Sequence, residues 1–134
     1  MQVDGACHCG QITFKATIDP SRVTLCHCND CQITAGAPYT FNVPALAGTF
    51  KLLSGAPQIY LKTTAESGQH RAHGFCPNCA TRLYSASVNT DPIQHMLRAG
   101  PLKQRAALKP VRQIWCDAAL DWAVVDGPER ITGQ

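Results

Sequence analysis

The sequence predicts a mainly β fold, and three observations predict it. Apolar residues recur at every second position in several short runs. Gly and Pro interrupt the chain at frequent intervals. Only two segments carry a helical signal, each about one turn long. The 134 residues suit a single domain spanning 1–134, long enough to bury a core. A hydrophobic content of 45% belongs to a globular chain rather than a disordered one.

Taken in order, Ile12, Phe14, Ala16 and Ile18 alternate after Gly10 and read as a half-buried strand. Val23 and Leu25 lead in the same way into a cysteine-rich segment. The spacing predicts a one-turn helix over Asn29–Ala35, capped by Asn29 or Asp30. Tyr39, Phe41 and Val43 predict a strand stopped near Pro44. Phe50–Leu53 and Ile59–Leu61 read as a strand pair joined by the turn sequence Ser54-Gly55-Ala56-Pro57. A strand over Arg82–Val88 sets Leu83, Ser85 and Ser87 against Arg82, Tyr84, Ala86 and Val88, and breaks at Asp91-Pro92. Gln104–Leu108 predicts a helical turn ending before Pro110, and Ile114-Trp115 a last short strand.

The first residues, Met1-Gln2-Val3-Asp4-Gly5, carry neither a positive n-region nor an apolar h-region. The longest apolar stretches are too short to span a bilayer. Both point to a cytoplasmic protein with no membrane partner. In that setting eight cysteines indicate metal rather than disulfides.

Seven of the eight cysteines fall into three clusters: Cys7-His8-Cys9, Cys26-His27-Cys28-Asn29-Asp30-Cys31 and Cys76-Pro77-Asn78-Cys79. A closed tetrahedral zinc site takes four protein ligands, so seven suggests one closed site and one with an open position. Cys26, Cys28 and Cys31 are close enough along the chain to wrap one ion. Cys76 and Cys79 form a zinc-knuckle hairpin that needs two more ligands, for which Cys7 and Cys9 are the natural donors. Spacing by itself does not fix that pairing. Cys116 is the rival fourth ligand of the second site; after Ile114-Trp115 it reads instead as a small buried hydrophobe.

On a strand, Cys-X-Cys turns both sulfurs toward one ion and the intervening histidine to the opposite face. His8 and His27 are therefore not ligands of their neighbours' ion. Each is placed to hydrogen-bond sulfur or line the adjacent pocket, with His8 read as structural. His70, His73 and His95 show no ligand spacing and read as surface or core residues. Arg71 and Arg82 flank the knuckle; a carboxylate is a possible partner for either, but a solvated or structural role is the default for such charges.

Three thiolates on Zn²⁺ leave a net negative site, a weaker Lewis acid than a neutral-ligand centre and better suited to taking a thiol than to activating water. Seven thiolates and two Zn²⁺ would bring the formal charge of +3 to neutrality, so the small basic surplus reads as compensation for the metal centres. With no Lys/Arg run and no basic tail, nucleic acid is not the expected partner.

Gly5-Ala6-Cys7-His8-Cys9-Gly10, Cys26–Cys31, Ala35-Gly36-Ala37-Pro38-Tyr39 and Phe75–Tyr84 together resemble the glutathione-dependent formaldehyde-activating enzyme family. Gly100-Pro101-Leu102, Pro110, Ile114-Trp115 and Trp122 follow in the family's order. The resemblance implies a β-tent fold with two zinc sites, a structural one at Cys7, Cys9, Cys76 and Cys79 and a catalytic one at Cys26, Cys28 and Cys31. It implies a carbon-sulfur lyase that joins a small thiol such as glutathione to formaldehyde or another small aldehyde, with His27 hydrogen-bonding or relaying a proton to the developing alkoxide. The alternative is a non-catalytic, zinc-stabilised binding module. Two positions depart from the family pattern. Ala80 stands where Gly is usual after the knuckle, which strains the backbone if φ is positive there. Lys103 and Gln104 stand where an acidic pair often follows Leu102.

Overall fold

Alternation acts as the sequence predicts in the strand after Gly10. Ile12, Phe14, Ala16 and Ile18 are all buried, while the intervening residues reach solvent or are half-buried. The computed structural model describes residues 1–134. Its strands are β1 (Gln2–Ala6), β2 (Thr13–Thr17), β3 (Thr24–Cys26), β4 (Thr40–Pro44), β5 (Lys51–Ser54), β6 (Gln58–Lys62), β7 (Arg71–Phe75), β8 (Arg82–Ser87), β9 (His95–Arg98), β10 (Arg112–Ile114) and β11 (Glu129–Arg130). The α-helix is α1 (Asn29–Ala35); short 3-10 turns lie at Pro20–Arg22, Arg105–Ala107, Cys116–Ala118 and Asp121–Ala123. No helix is long and apolar enough to cross a membrane.

The fold is mainly β, a β-tent of two sheets. A three-stranded sheet runs β1-β2-β5, and an eight-stranded sheet runs β11-β10-β3-β4-β9-β8-β7-β6. All pairings are antiparallel except those of β10 with β3 and with β11. Bridges Gly5–Leu102 and Ile18–Ala45 tie the smaller sheet to the larger. The core includes Val3, Ile12, Phe14 and Ile18 from the small sheet and Val43, Leu83, Tyr84 and Leu97 from the large one. Gly5 is needed where β1 crosses Phe14, because a Cβ would sit 2.1 Å from that ring.

Three expectations are corrected. Residues 50–61 do not form a hairpin: β5 pairs with β2 and β6 with β7, in different sheets. Ser54 explains the divergence, since its Oγ lies 2.7 Å from Thr13 Oγ1 and donates to Gln11 C=O at 3.2 Å, holding the end of β5 on β2. Gly55, at φ +76°, then passes so close to Gln11 that a Cβ would lie 2.5 Å from its carbonyl oxygen. The strand over Tyr39–Pro44 begins at Thr40 and is buried on both faces, Thr40 and Asn42 being buried as well as Val43. The helix cap is Cys28 rather than Asn29 or Asp30, because Cys28 Sγ accepts the Cys31 N–H at 3.3 Å. β1, β7 and β9 carry too little alternation to stand out in the sequence.

Candidate metal centres and the adjoining cavity

Cys7 follows the end of β1, and the next residues turn rather than continuing the strand: the Gly10 N–H donates to Cys7 C=O at 3.0 Å, with Gly10 at φ +81°. The expected strand geometry for Cys7-His8-Cys9 is therefore replaced by a loop, which brings Cys7 Sγ and Cys9 Sγ to 3.5 Å. His8 is exposed, and its N–H donates to Thr81 Oγ1 at 3.1 Å. The knuckle closes from the other side. Cys76 Sγ accepts the Cys79 N–H at 3.5 Å, and the Ala80 N–H donates to Cys76 C=O at 2.8 Å. Cys9 Sγ and Cys76 Sγ are 3.7 Å apart.

Cys7, Cys9, Cys76 and Cys79 thus converge, as do Cys26, Cys28 and Cys31; within each group the sulfurs lie within 4.8 Å of one another. A tetrahedral ion with Zn–S bonds of about 2.3 Å sets its sulfurs about 3.8 Å apart, so both donor sets fit zinc. Cys116 joins neither group. It is half-exposed, its thiol donating to Gln113 C=O at 3.5 Å. The all-sulfur, four-against-three division reached from spacing is the one the fold assembles.

Thr81 links the halves of the four-cysteine centre, holding the His8 N–H and lying 3.1 Å from Cys79 Sγ. Together with backbone N–H groups, that hydroxyl draws the Cys79 thiol down to about 5. Nothing in the sequence pattern marked it. Ala80 adopts φ +62°, the strained conformation anticipated for a residue replacing Gly.

The three-cysteine centre stands where a strand meets a helix. Cys26 ends β3, Cys28 caps α1, and Cys31 lies in its first turn. Hydrogen bonds from Cys26 and Cys28 hold the Cys31 thiol far below its ordinary range, helped by Thr40 and the Arg98 cation. Cys26 is pushed up correspondingly by the same shared hydrogen bonds and by burial. Cys28 is raised as well, so negative charge is concentrated on Cys31.

His27 lies on the other side of this turn and is fully buried. Its Nε2 is 3.1 Å from Gln113 Oε1, and its ring meets Tyr39 edge-on at 5.3 Å. The Gln113 amide is oriented by Val125, accepting its N–H at 2.9 Å and donating to its C=O at 2.8 Å, so Nε2 of His27 is the donor. The backbone of His27 is held at both ends, its N–H by Ile114 C=O at 3.1 Å and its C=O by Gln32 Nε2 at 2.7 Å. Gln113 carries much of this anchoring and was not singled out in the sequence.

Strand register places a polar face beside the three-cysteine centre. Cys26 pairs with Thr40, Asn42 with Arg98, His73 with Ser85, and Lys62 with Arg71, and residues opposed in a ladder share a face. Thr40, Asn42, His73, Ser85 and Ser87 are all buried there. Helix α1 closes over it through Lys62–Asp30 at 2.6 Å and Arg82 Nη1 donating to Thr34 C=O at 2.9 Å. Arg71 and Arg82 are accordingly half-buried rather than solvated. Between α1, β4, the knuckle and the end of β9 lies a cavity of about 470 Å³. Its walls include Thr34, Thr40, Phe41, Ala80, Arg82 and Arg98; His27 does not reach it.

A β-tent carrying one four-cysteine and one three-cysteine cluster, each able to hold a metal ion, defines a class of protein with two cysteine metal sites. Comparison narrows the class: the family model "Glutathione-dependent formaldehyde-activating enzyme" matches residues 2–118, and the chain belongs to that family. An uncharacterized lyase of Schizosaccharomyces pombe, C29B12.13, is 32% identical over 88 residues, covering 66% of this chain and 60% of that protein. The chain thus aligns with less than two thirds of that relative's length. A Rhodobacter sphaeroides protein of known crystal structure has the same fold, with a TM-score of 0.60 at 17% identity over 80% of this chain and 96% of its own.

Proposed function

We propose that the protein is a zinc-dependent carbon-sulfur lyase that adds a small thiol, glutathione or a similar molecule, to formaldehyde or another small aldehyde. The observation that carries this reading is the convergence of three cysteines with no fourth protein ligand; a cavity large enough for a thiol and an aldehyde is lined by Thr40, the ladder partner of Cys26. Family membership supports the same chemistry. Cys7, Cys9, Cys76 and Cys79 would hold a structural zinc that staples the chain start to the middle of the sequence, while Cys26, Cys28 and Cys31 would hold the reactive one.

When bound to the triad, zinc supplies an open coordination position and favours the thiolate form of an incoming thiol. In the reaction, the substrate sulfur forms a bond to the carbonyl carbon. The C=O π pair moves to oxygen, and the proton released by the thiol ends there, giving a hemithioacetal. The role of this chain is to hold the sulfur and the carbonyl together in an enclosed site. The Arg98 cation favours the Cys31 thiolate and offsets negative charge of the triad, while Thr40 is the ladder partner of Cys26. His27 enters as a positioning residue: its buried ring and pinned backbone set the turn that aims Cys26 and Cys28.

Metal counting together with NMR exchange spectroscopy on formaldehyde and glutathione tests the proposal. Two zincs per chain and exchange faster than the spontaneous reaction are expected. Cys31→Ser should bind one zinc, keep its fold and lose the acceleration. No acceleration with both zincs in place would sink the proposed reaction.

A further inference from the structure

The cavity is charged in a way that three cysteines and a zinc do not account for. Arg82 and Arg98 line it, and Arg71 lies on the same sheet face. None of the three has a carboxylate partner: the ion pairs of the molecule are Lys62–Asp30 and Arg130–Asp126. Their hydrogen bonds go to neutral acceptors. Arg98 donates to Asn42 Oδ1, Arg71 to Ser85 Oγ at 3.3 Å, and Arg82 to Thr34 C=O and to His73 Nδ1 at 2.6 Å. Arg82 Nε is buried without any partner.

Buried guanidinium groups without counter-ions are costly, and unused donors beside a cavity define what would satisfy them. Three thiolates around a divalent ion carry a single net negative charge, against three guanidinium groups. His73 neither adds to nor offsets that charge, because accepting from Arg82 leaves its Nδ1 unprotonated and the imidazole neutral. A positive surplus remains at the cavity wall, displayed by side chains whose planar forks match a carboxylate.

We infer that Arg82 and Arg98 receive a carboxylate of the thiol substrate, so that the site selects small thiols carrying a carboxylate over neutral or cationic thiols of the same size. This rests on the thiol-binding reading above. The apolar part of the wall, with Phe41 and Ala99, takes the carbon skeleton between the two anchored ends.

The test is direct binding, followed by the sulfur-to-metal absorption of protein loaded with Co²⁺ in place of zinc. The probes are 3-mercaptopropionate, 3-mercaptopropionamide and cysteamine. The carboxylate is expected to bind at least about tenfold more tightly than the amide, as charge-assisted forked hydrogen bonds warrant, with cysteamine weakest. Arg98→Lys, which keeps the charge but loses the fork, and Arg82→Gln, at a less enclosed position, should each bring the carboxylate-to-amide ratio toward one. A ratio near one in the unsubstituted protein, or a ratio unchanged in both variants, would overturn the inference. If no thiol alters the cobalt spectrum, the thiol-binding reading fails, and the carboxylate site is judged on zinc-loaded protein with succinate. A melting temperature raised by succinate but not by succinamide, with the rise lost in either variant, supports the site; no rise overturns it.

Discussion

Replacing His73 with Gln isolates one buried titration. His73 lies in β7 and is 6% exposed, and burial first, then the Arg98, Arg82, Lys62 and Arg71 cations, press its pKa from 6.5 down to about 4. Its Nδ1 accepts a hydrogen bond from Arg82, so an imidazolium would lose that bond and face a cation instead. The unfolded chain therefore binds the His73 proton more readily than the folded one. Its share of stability is retained above the unfolded value and lost as pH falls from about 6.5 toward 4. With those two pKa values, linkage predicts a loss of about 2 kcal/mol between pH 7.5 and pH 5. Gln keeps a carbonyl acceptor for Arg82 and has no proton to gain. Urea unfolding of the zinc-loaded proteins at both pH values measures the difference, and pH-driven weakening of the thiolate centres, common to both, cancels. The His73→Gln protein should lose about 2 kcal/mol less than its parent over that interval. Equal losses in the two proteins would refute the reasoning and place the imidazole in a solvated setting.

Two further outcomes follow from backbone and buried polar geometry. Ala80→Gly should relieve the strain at φ +62° and stabilise the protein by about 0.5–1 kcal/mol, after the greater freedom of Gly in the unfolded chain is deducted. Thermal unfolding would show this as a rise of about 2–4 °C in Tm. Gln113→Leu leaves His27 Nε2–H and both Val125 backbone groups without their partner. A loss of about 2–3 kcal/mol in urea unfolding is expected, with weakened retention of the zinc at Cys26, Cys28 and Cys31 against a chelator while the other zinc stays bound.

What could be read from residue order alone is what depends on local periodicity and ligand chemistry. The alternation of Ile12, Phe14, Ala16 and Ile18 specified a strand because a side-chain period of two leaves one face to bury. The cysteine spacing suggested two centres, because sulfurs two or three residues apart can turn toward one ion and a knuckle with only two ligands needs a second pair; which cysteines share an ion was left to the fold. The family resemblance, not residue order, puts Gly after the knuckle and makes Ala80 strained if φ is positive there; its φ is +62°.

Tertiary structure decided everything that depends on which strands become neighbours. Phe50–Leu53 and Ile59–Leu61 look like partners in sequence, yet Ser54 and Gly55 send them to separate sheets. Gln113 reaches His27 across 86 residues, and Arg82 reaches the carbonyl of Thr34 across 48. The sequence alone assigned Arg71 and Arg82 a solvated or structural role by default, with a carboxylate as a possible partner, and did not single out Arg98. Their charge was legible, but its meaning comes from burial beside a cavity, and burial is created only when β4, β8, β9 and α1 close over the three cysteines.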